Sequence, residues 1–556
     1  MSNVGSALES LFGDLAEGEL ITDLAERVTL SSDVYSAGPT ASAILRVADR
    51  GRLAAAVAAA THAGFAIVAR GGGMSYTGGY LPPHERTLIV DTSALNRIVE
   101  INATDMYVTA EAGVTWKQLY NALQPLGLRL PFFGTFSGAR ATVGGGLSNG
   151  ALFLGTARYG TAADCLLGME VIAADGSRIR TGQGALRNAR KPFYRTFGPD
   201  LSGLFVHESG ALGIKIEATF RLIRMPEHSG YASFALDSMQ AAGKALSEVA
   251  RTGAAEEAYV FDPETTRKNL TPADLKQDVR TLLNVVRGEK SLLKGLKEGA
   301  QLVGAGRDFM PEGAFSLHVV CAGRSQAALE ADLHACRKAC IEAGGVEIVN
   351  SIPKAVRASL FPAPDGVLGP EGDRWAALNA KVAHSDAAVI IEASRAALAE
   401  YEAEMKQHGV RMSHLLIAIN NHAFSFEPVF HWFDSWLPLH QQLPSAEAKA
   451  RYSPPVANPQ ASALVHRLRT RLVELFAEHG AASNQIGKTY PYIQVLQPST
   501  AALLQDLKNA LDPKGLMNPG ALGFAPAPAA AAERGNQASA VSMRPLRSAV
   551  SAPRGP

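Results

Sequence analysis

The chain has 556 residues, and 53 Lys+Arg against 52 Asp+Glu leave a net charge of +1. That balance excludes a dedicated nucleic-acid binder, which needs a basic excess to neutralise phosphates. A hydrophobic content of 47% excludes a disordered scaffold, and at ~100–200 residues per domain the length predicts two to four domains.

Taken in chain order, residues 1–40 read as short helices and a loop. Met1 to Glu19 carries acidic residues and no apolar run, so no secretory signal is expected. From Ala41 the pattern is strand (Ser42–Ala48), Ala-rich helix (Arg52–Gly64, closed by its glycine) and strand (Phe65–Ala69). Strands follow at Thr87–Asp91, Ile98–Ile101 and Tyr107–Glu111, then a helix from Thr115 to Leu123 that Pro125 stops. Met169–Ala173 and Ser177–Thr181 flank the turn Ala174-Asp175-Gly176. Beyond Pro226 glycine thins out. Helices are expected at Ser238–Thr252, Thr271–Gly299, Ser325–Gly344, Arg395–His408 and Ser462–Gly480, with strands near Ser316–Cys321, Ala388–Ile391 and His414–Asn420. The last residues, 525–556, are Ala/Pro/Ser/Arg-rich and read as a disordered tail. No stretch approaches ~18 apolar residues, so no membrane span is expected. Cys165, Cys321, Cys336 and Cys340 form no Cys-x-x-Cys pair and read as reduced thiols of a cytoplasmic protein.

Glycine is concentrated in loops. Arg70-Gly71-Gly72-Gly73-Met74-Ser75-Tyr76-Thr77-Gly78-Gly79 follows a strand; glycines there permit positive φ and close backbone approach to oxygen anions. It is neither the G-x-G-x-x-G turn nor a P-loop. Further small-residue loops are Thr142 to Gly150, Tyr159 to Asp164, Gly198 to Ile214, and Leu511 to Gly520. Several such loops in one domain point to a long ligand lying against backbone.

These segments, in this order and spacing, resemble the FAD-dependent oxidoreductases of the vanillyl-alcohol oxidase / p-cresol methylhydroxylase family. The resemblance covers about 41–225 and 476–524. It implies an α+β fold: a PCMH-type FAD-binding domain of two α+β subdomains (41–225), an antiparallel-sheet cap for the substrate (226–475) and a C-terminal segment returning to the FAD domain (476–524), after the N-terminal helical segment 1–40. It implies cofactor contacts from Arg70, Gly71, Gly72, Gly73, Met74, Ser75, Thr77 and Gly78; from Thr142, Gly145, Gly146, Ser148 and Asn149; from Gly210, Gly213 and Ile214; and from Asn518. Met74 stands where many relatives join a histidine to the flavin, and no cysteine lies in Phe136–Gly146. FAD is thus expected to be noncovalent or held by a cap residue. Glu208-Ser209-Gly210 permutes the family's usual order.

The resemblance implies that the cap sets the substrate. His414 to His440 alternates polar, titratable and aromatic residues after an apolar strand, which suits a pocket wall. His422 and His431 are candidate bases there. The resemblance implies that Tyr490 or Tyr492 holds a phenolate, with Lys488 as the nearby cation. A phenolic or aryl-alcohol substrate is therefore favoured. The alternatives are a 2-hydroxy acid, with Arg374 or Arg411 for its carboxylate, and an FAD-binding assembly protein without catalysis. The metal-linked histidine motif of the hydroxy-acid enzymes is absent, and no metal is expected. Oxygen or an electron-carrier protein would be the acceptor, and a homodimer is compatible with the sequence.

Overall fold

The computed structural model describes Leu8 and residues 10–270, 313–367 and 372–525. The expected helix Thr271–Gly299 and nearly all of the tail 525–556 lie outside the described residues. The first sheet has the order β1-β2-β4-β3, from Leu20–Ile21 (β1), Ala43–Leu45 (β2), Ala66–Arg70 (β3) and Thr87–Asp91 (β4). β2, β4 and β3 run parallel. Ala43–Leu45, Ala66–Val68 and Leu88–Val90 are apolar and buried, as strands covered on both faces must be. The helix Arg50–His62 makes the crossover; Asp49 caps its start by accepting from Arg52 N, and Gly64 follows its end at φ 80°.

A second, antiparallel sheet has the order β5-β6-β10-β8-β9: Ile98–Asn102, Tyr107–Glu111, Ile214–Arg221, Leu166–Ile172 and Arg178–Arg180, with the short pair Leu128–Arg129 (β7) and Ile223–Arg224 (β11) beside it. The C-terminal segment returns to the first sheet. Ile67 N donates to Leu516 O and Asn518 N to Ile67 O, both at 2.8 Å, so residues 516–518 extend it at the β3 edge. Asp512 braces this return, accepting from Leu516 N, Met517 N and the Lys508 ammonium.

The cap is an eight-stranded antiparallel sheet. Its strands are β12 (His228–Leu236), β13 (Glu257–Phe261), β14 (Phe315–Gly323), β15 (Val346–Ile348), β16 (Arg374–Ala377), β17 (Ala380–Ala383), β18 (Arg411–Ile419) and β19 (Ala423–Trp432). They are ordered β15-β12-β14-β13-β18-β19-β16, with β17 also on β19. Helices including Met239–Thr252, Gln326–Glu342 and Pro459–Glu478 cover one face. The other packs toward the second sheet through Tyr259, Phe261, Ile417 and Ile419. The expected strand Ala388–Ile391 is instead part of the helix Ala387–Ala399. It buries Ala387, Ile390, Ile391, Ser394 and Leu398, a helical spacing, so packing of that face overrides the β-branched run. A buried ion cluster ties cap to base: Arg129 pairs with Glu256, and Arg357 lies 2.5 Å from Glu256 and 2.9 Å from Glu257. These arginines hold the Glu256 carboxyl below its ordinary range, although burial pushes it up.

Candidate functional site

β3 ends in Arg70 and releases the chain as Gly71-Gly72-Gly73. Arg70 is buried and occupied: it donates to Leu30 O (3.2 Å) and Ser32 O (3.4 Å) and lies 5.0 Å from the Tyr80 ring. A Cβ on Gly71 would press on the Thr142 hydroxyl, and one on Gly72 would overlap the Arg140 carbonyl. Glycine here lets two loops touch. Thr142 caps the helix Val143–Ser148, accepting from Gly145 N at 3.2 Å. Gly144 packs on Ala112 and Gly146 on Trp116, whereas the only close neighbour of a Cβ on Gly145 would be Thr142 Oγ1, at 3.2 Å. Glu208 organises the next loop: its carboxylate accepts from Gly210 N (3.0 Å) and Leu212 N (2.7 Å) and pairs with Lys215. His207 and Ser209 take left-handed φ of 59° and 54°, a strained choice for side-chain-bearing residues. Asn518 fastens the loops together, donating to Gly79 O (2.6 Å) and to Ser209 O.

These loops enclose one cavity of about 1170 Å³, its open mouth included. Arg70, Gly71, Gly72, Gly73, Met74, Ser75, Thr142, Gly145, Gly146, Ser148, Asn149, Gly210 and Gly213 line it. Four expected cofactor residues stand behind the wall. Thr77 meets Ser75 at 3.1 Å, Gly78 N donates to Asp33 (2.8 Å), Ile214 is core, and Asn518 is the fastener described above.

The cap closes the far end with Leu415 and Ile417 of β18, Glu427 of β19, and Gln485. Strand parity explains the choice: Phe424, Phe426, Phe430 and Trp432 join the core under the helices, so Ser425, Glu427 and Val429 face the opposite way. Glu427 is half-buried opposite Leu415, and burial pushes its carboxyl up to about 7 against the pull of Lys381. Lys381, on β17 opposite Ser425, donates to Asn484. Burial brings its ammonium down to about 7, with Glu427 acting the other way. Tyr76 lines the cavity; burial, then the charge of Glu427, raises its phenol well above the ordinary value, while a hydrogen bond with Gln485 opposes this. His207 is kept neutral: burial first, then Lys381, bring it to about 4.

None of the five expected catalytic residues lines this cavity. His422 is exposed in the β18–β19 turn. His431 shares a strand face with Glu427 but lies four residues on, ~13 Å at strand rise, where Ser413 (2.9 Å) and Asp373 (3.6 Å) engage it. The Tyr490 hydroxyl accepts from Asn379 N (2.8 Å) and donates to Asn379 O (3.1 Å), and burial raises its phenol to about 12. Tyr492 begins the short helix Tyr492–Val495, packed on the cap core. Lys488 donates to Leu81 O at 2.6 Å, behind the first glycine loop, and burial lowers it to about 8. Arg374 and Arg411 are likewise engaged, with Asp434 and with Glu264 and Asp373.

The cavity fits FAD. Its loop end offers glycine backbone, the hydroxyls of Ser75, Thr142, Ser148 and Ser209, and Lys215 in its pair with Glu208, while the lining carboxylate, Glu427, stands at the far end. Such a donor set suits a pyrophosphate. Gly145 leaves room that a side chain would take. Among the described residues no His/Cys/Asp/Glu cluster could hold a metal, and no helix is long and apolar enough to cross a membrane.

Comparison with known proteins agrees. Residues 41–182 match the family described as FAD binding domain, and 462–522 match FAD linked oxidases, C-terminal domain. D-lactate dehydrogenase [cytochrome] 1, mitochondrial, of Saccharomyces cerevisiae is 30% identical over 189 residues, 34% of this chain and 30% of that protein. Glycolate oxidase subunit GlcD of Bacillus subtilis is 31% identical over 183 residues, 33% and 37% respectively. The chain thus matches only about a third of the length of these relatives. The crystal structure of p-cresol methylhydroxylase with substrate bound has the same fold: TM-score 0.71 and 18% identity over 94% of this chain and 98% of that one.

Proposed function

We propose that this chain, which belongs to the FAD-linked oxidoreductases with a PCMH-type FAD-binding domain, oxidises a small neutral substrate of the phenolic or aryl-alcohol class. The observation that carries this reading is Glu427, a carboxyl held near neutrality in the apolar wall of the cavity. Arg70 to Ser75, Thr142 to Asn149, and Gly210 with Gly213 would hold the cofactor, with Thr77, Gly78, Ile214 and Asn518 supporting those loops from behind. When bound, FAD supplies the hydride acceptor at this site.

The chain's own residues then do the rest. Leu415, Ile417 and Phe153 exclude water and hold the substrate by its apolar body. Glu427 takes the hydroxyl proton; a base with a pKa near the working pH is well matched to that task. Gln485 and Tyr76 fix the orientation of the hydroxyl, and Lys381 steadies the carboxylate once it forms. A substrate carboxylate beside Glu427 would be repelled, which favours a neutral molecule. FAD is held without a covalent bond: the lining residues include neither histidine nor cysteine, and the hydroxyls of the two lining tyrosines are engaged, Tyr80 with Ser75 O and Tyr76 with Gln485. The acceptor is oxygen or an electron carrier, and we place the protein in the cytoplasm.

The second reading, a 2-hydroxy-acid dehydrogenase, is favoured by the lactate and glycolate relatives. Anaerobic bleaching of the flavin decides between them: vanillyl alcohol is expected to reduce it and D-lactate to leave it yellow. The reverse result establishes the second reading, and bleaching by neither supports an assembly role. Acid precipitation is expected to leave the yellow colour in the supernatant; a yellow pellet would overturn noncovalent binding.

A further inference from the structure

After β9 the chain runs from residue 186 to 200 without helix or strand. It carries large apolar side chains outward: Phe193 is 54% exposed, Tyr194 52% and Phe197 64%, with Leu186 and Leu201 also exposed. At roughly 200 Å² per aromatic side chain, the three rings alone present about 350 Å² to solvent, the extent of the largest apolar patch on a typical monomer, which is often functional. Local bonds hold the loop in shape. Gln183 N donates to Tyr194 O (2.7 Å), and Arg195 bonds both Asp200 (3.0 Å) and Ala163 O (2.6 Å). Lys191 pairs with Asp105 in the β5–β6 turn.

The charge around these rings is one-sided. Arg187, Arg190, Lys191 and Arg195 lie within the same segment, and Arg178 and Arg180 stand on the strand that leads into it. Asp200 is the only acidic residue from 176 to 207. Two of the cations are spent on Asp105 and Asp200, which leaves exposed Arg187 and Arg190 beside the rings. Aromatic side chains exposed on a loop that also carries exposed arginines match the boundary of an anionic bilayer. The rings enter the headgroup region and the guanidinium groups meet lipid phosphates. A redox protein would need to reach the cofactor, yet no residue of 182–201 lines that cavity.

We infer that the loop 186–201 docks this protein on an anionic membrane surface, with Phe193, Tyr194 and Phe197 inserted and Arg187 and Arg190 on the lipid phosphates. This goes beyond the proposed activity and stands whichever substrate is oxidised. The test is co-sedimentation of the full-length FAD-loaded protein with vesicles of equal parts phosphatidylcholine and phosphatidylglycerol, or of phosphatidylcholine alone. Binding is expected to the mixed vesicles, with at most a fifth as much on phosphatidylcholine. Two variants report the two halves of the site: Phe193→Ser/Phe197→Ser and Arg187→Glu/Arg190→Glu. Each is expected to keep its flavin spectrum and to lose at least fivefold in vesicle partitioning; about fivefold per basic residue follows from the attraction of anionic lipid. Higher salt should weaken the wild type and leave the arginine variant little changed. Absence of binding to mixed vesicles, or binding that both variants retain, would overturn the inference. So would capture by an acidic protein when vesicles are ignored.

Discussion

At Glu427 activity and stability pull in opposite directions. Burial pushes the folded carboxyl up to about 7 from an ordinary 4.5, so the fold favours the protonated form. Its stabilising share is complete below about pH 4.5 and is lost as pH rises through about 7. The base, however, works only once ionised. Flavin reduction by substrate should therefore rise with pH through about 7 in single-turnover measurements. Glu427→Gln should slow that step by ~10²–10⁴-fold with FAD content unchanged. In thermal melts the same variant should be more stable than wild type at about pH 8, with the gain gone at about pH 4.5. A variant equally destabilised at both pH values would mean that Glu427 is a structural group. This residue was within reach of the sequence: in Phe424-Ser-Phe-Glu-Pro-Val-Phe-His-Trp the aromatics occupy one parity and Glu427 the other. Its partners were not, since Lys381, Gln485 and Tyr76 come from separate stretches and meet only through folding.

Among the loops, glycines that look alike in sequence have different tasks. Gly72 is required by the Arg140 carbonyl, a contact the protein makes with itself. Gly145 has only its own helix cap nearby and otherwise borders the cavity. Gly72→Ala should therefore lower the melting temperature of the apoprotein itself. Gly145→Ala should leave the apoprotein melt near wild type and weaken FAD binding on titration. Equal behaviour of the two would remove the distinction. Sequence patterns served well for elements with one dominant signal. Strands Thr87–Asp91 and Tyr107–Glu111 and the capped helix after Thr115 appear where expected. They failed at Ala388–Ile391, where four apolar residues fit either period and neighbours decided. They failed also at Tyr490, whose phenol is consumed by the Asn379 backbone; no local pattern announces a partner 111 positions away.

Across the whole molecule, cap and base are joined by charges as well as by apolar packing. Arg129 and Glu256 are both almost wholly buried, at 2% and 0% side-chain exposure. Removing one member of such a pair strands the other. Arg129→Ala is expected to cost about 3–5 kcal/mol in denaturant unfolding, whereas a paired replacement by apolar residues should recover much of it. Loss of well under 1 kcal/mol would show that Arg357 alone satisfies Glu256.

The hydrogen bonds of Leu516 and Asn518 to Ile67 carry a consequence for synthesis. The first sheet gains its last edge partner, and the first glycine loop its Asn518 fastener, only from residues translated some 450 positions later. A ribosome emitting this chain thus presents, for most of elongation, a nucleotide pocket with one side undone. Loading with cofactor becomes a late event, gated by the emergence of residues 516–518. Yellow full-length molecules would then be the ones that closed that long circuit, and truncated products would be left without a stable hold on the dinucleotide.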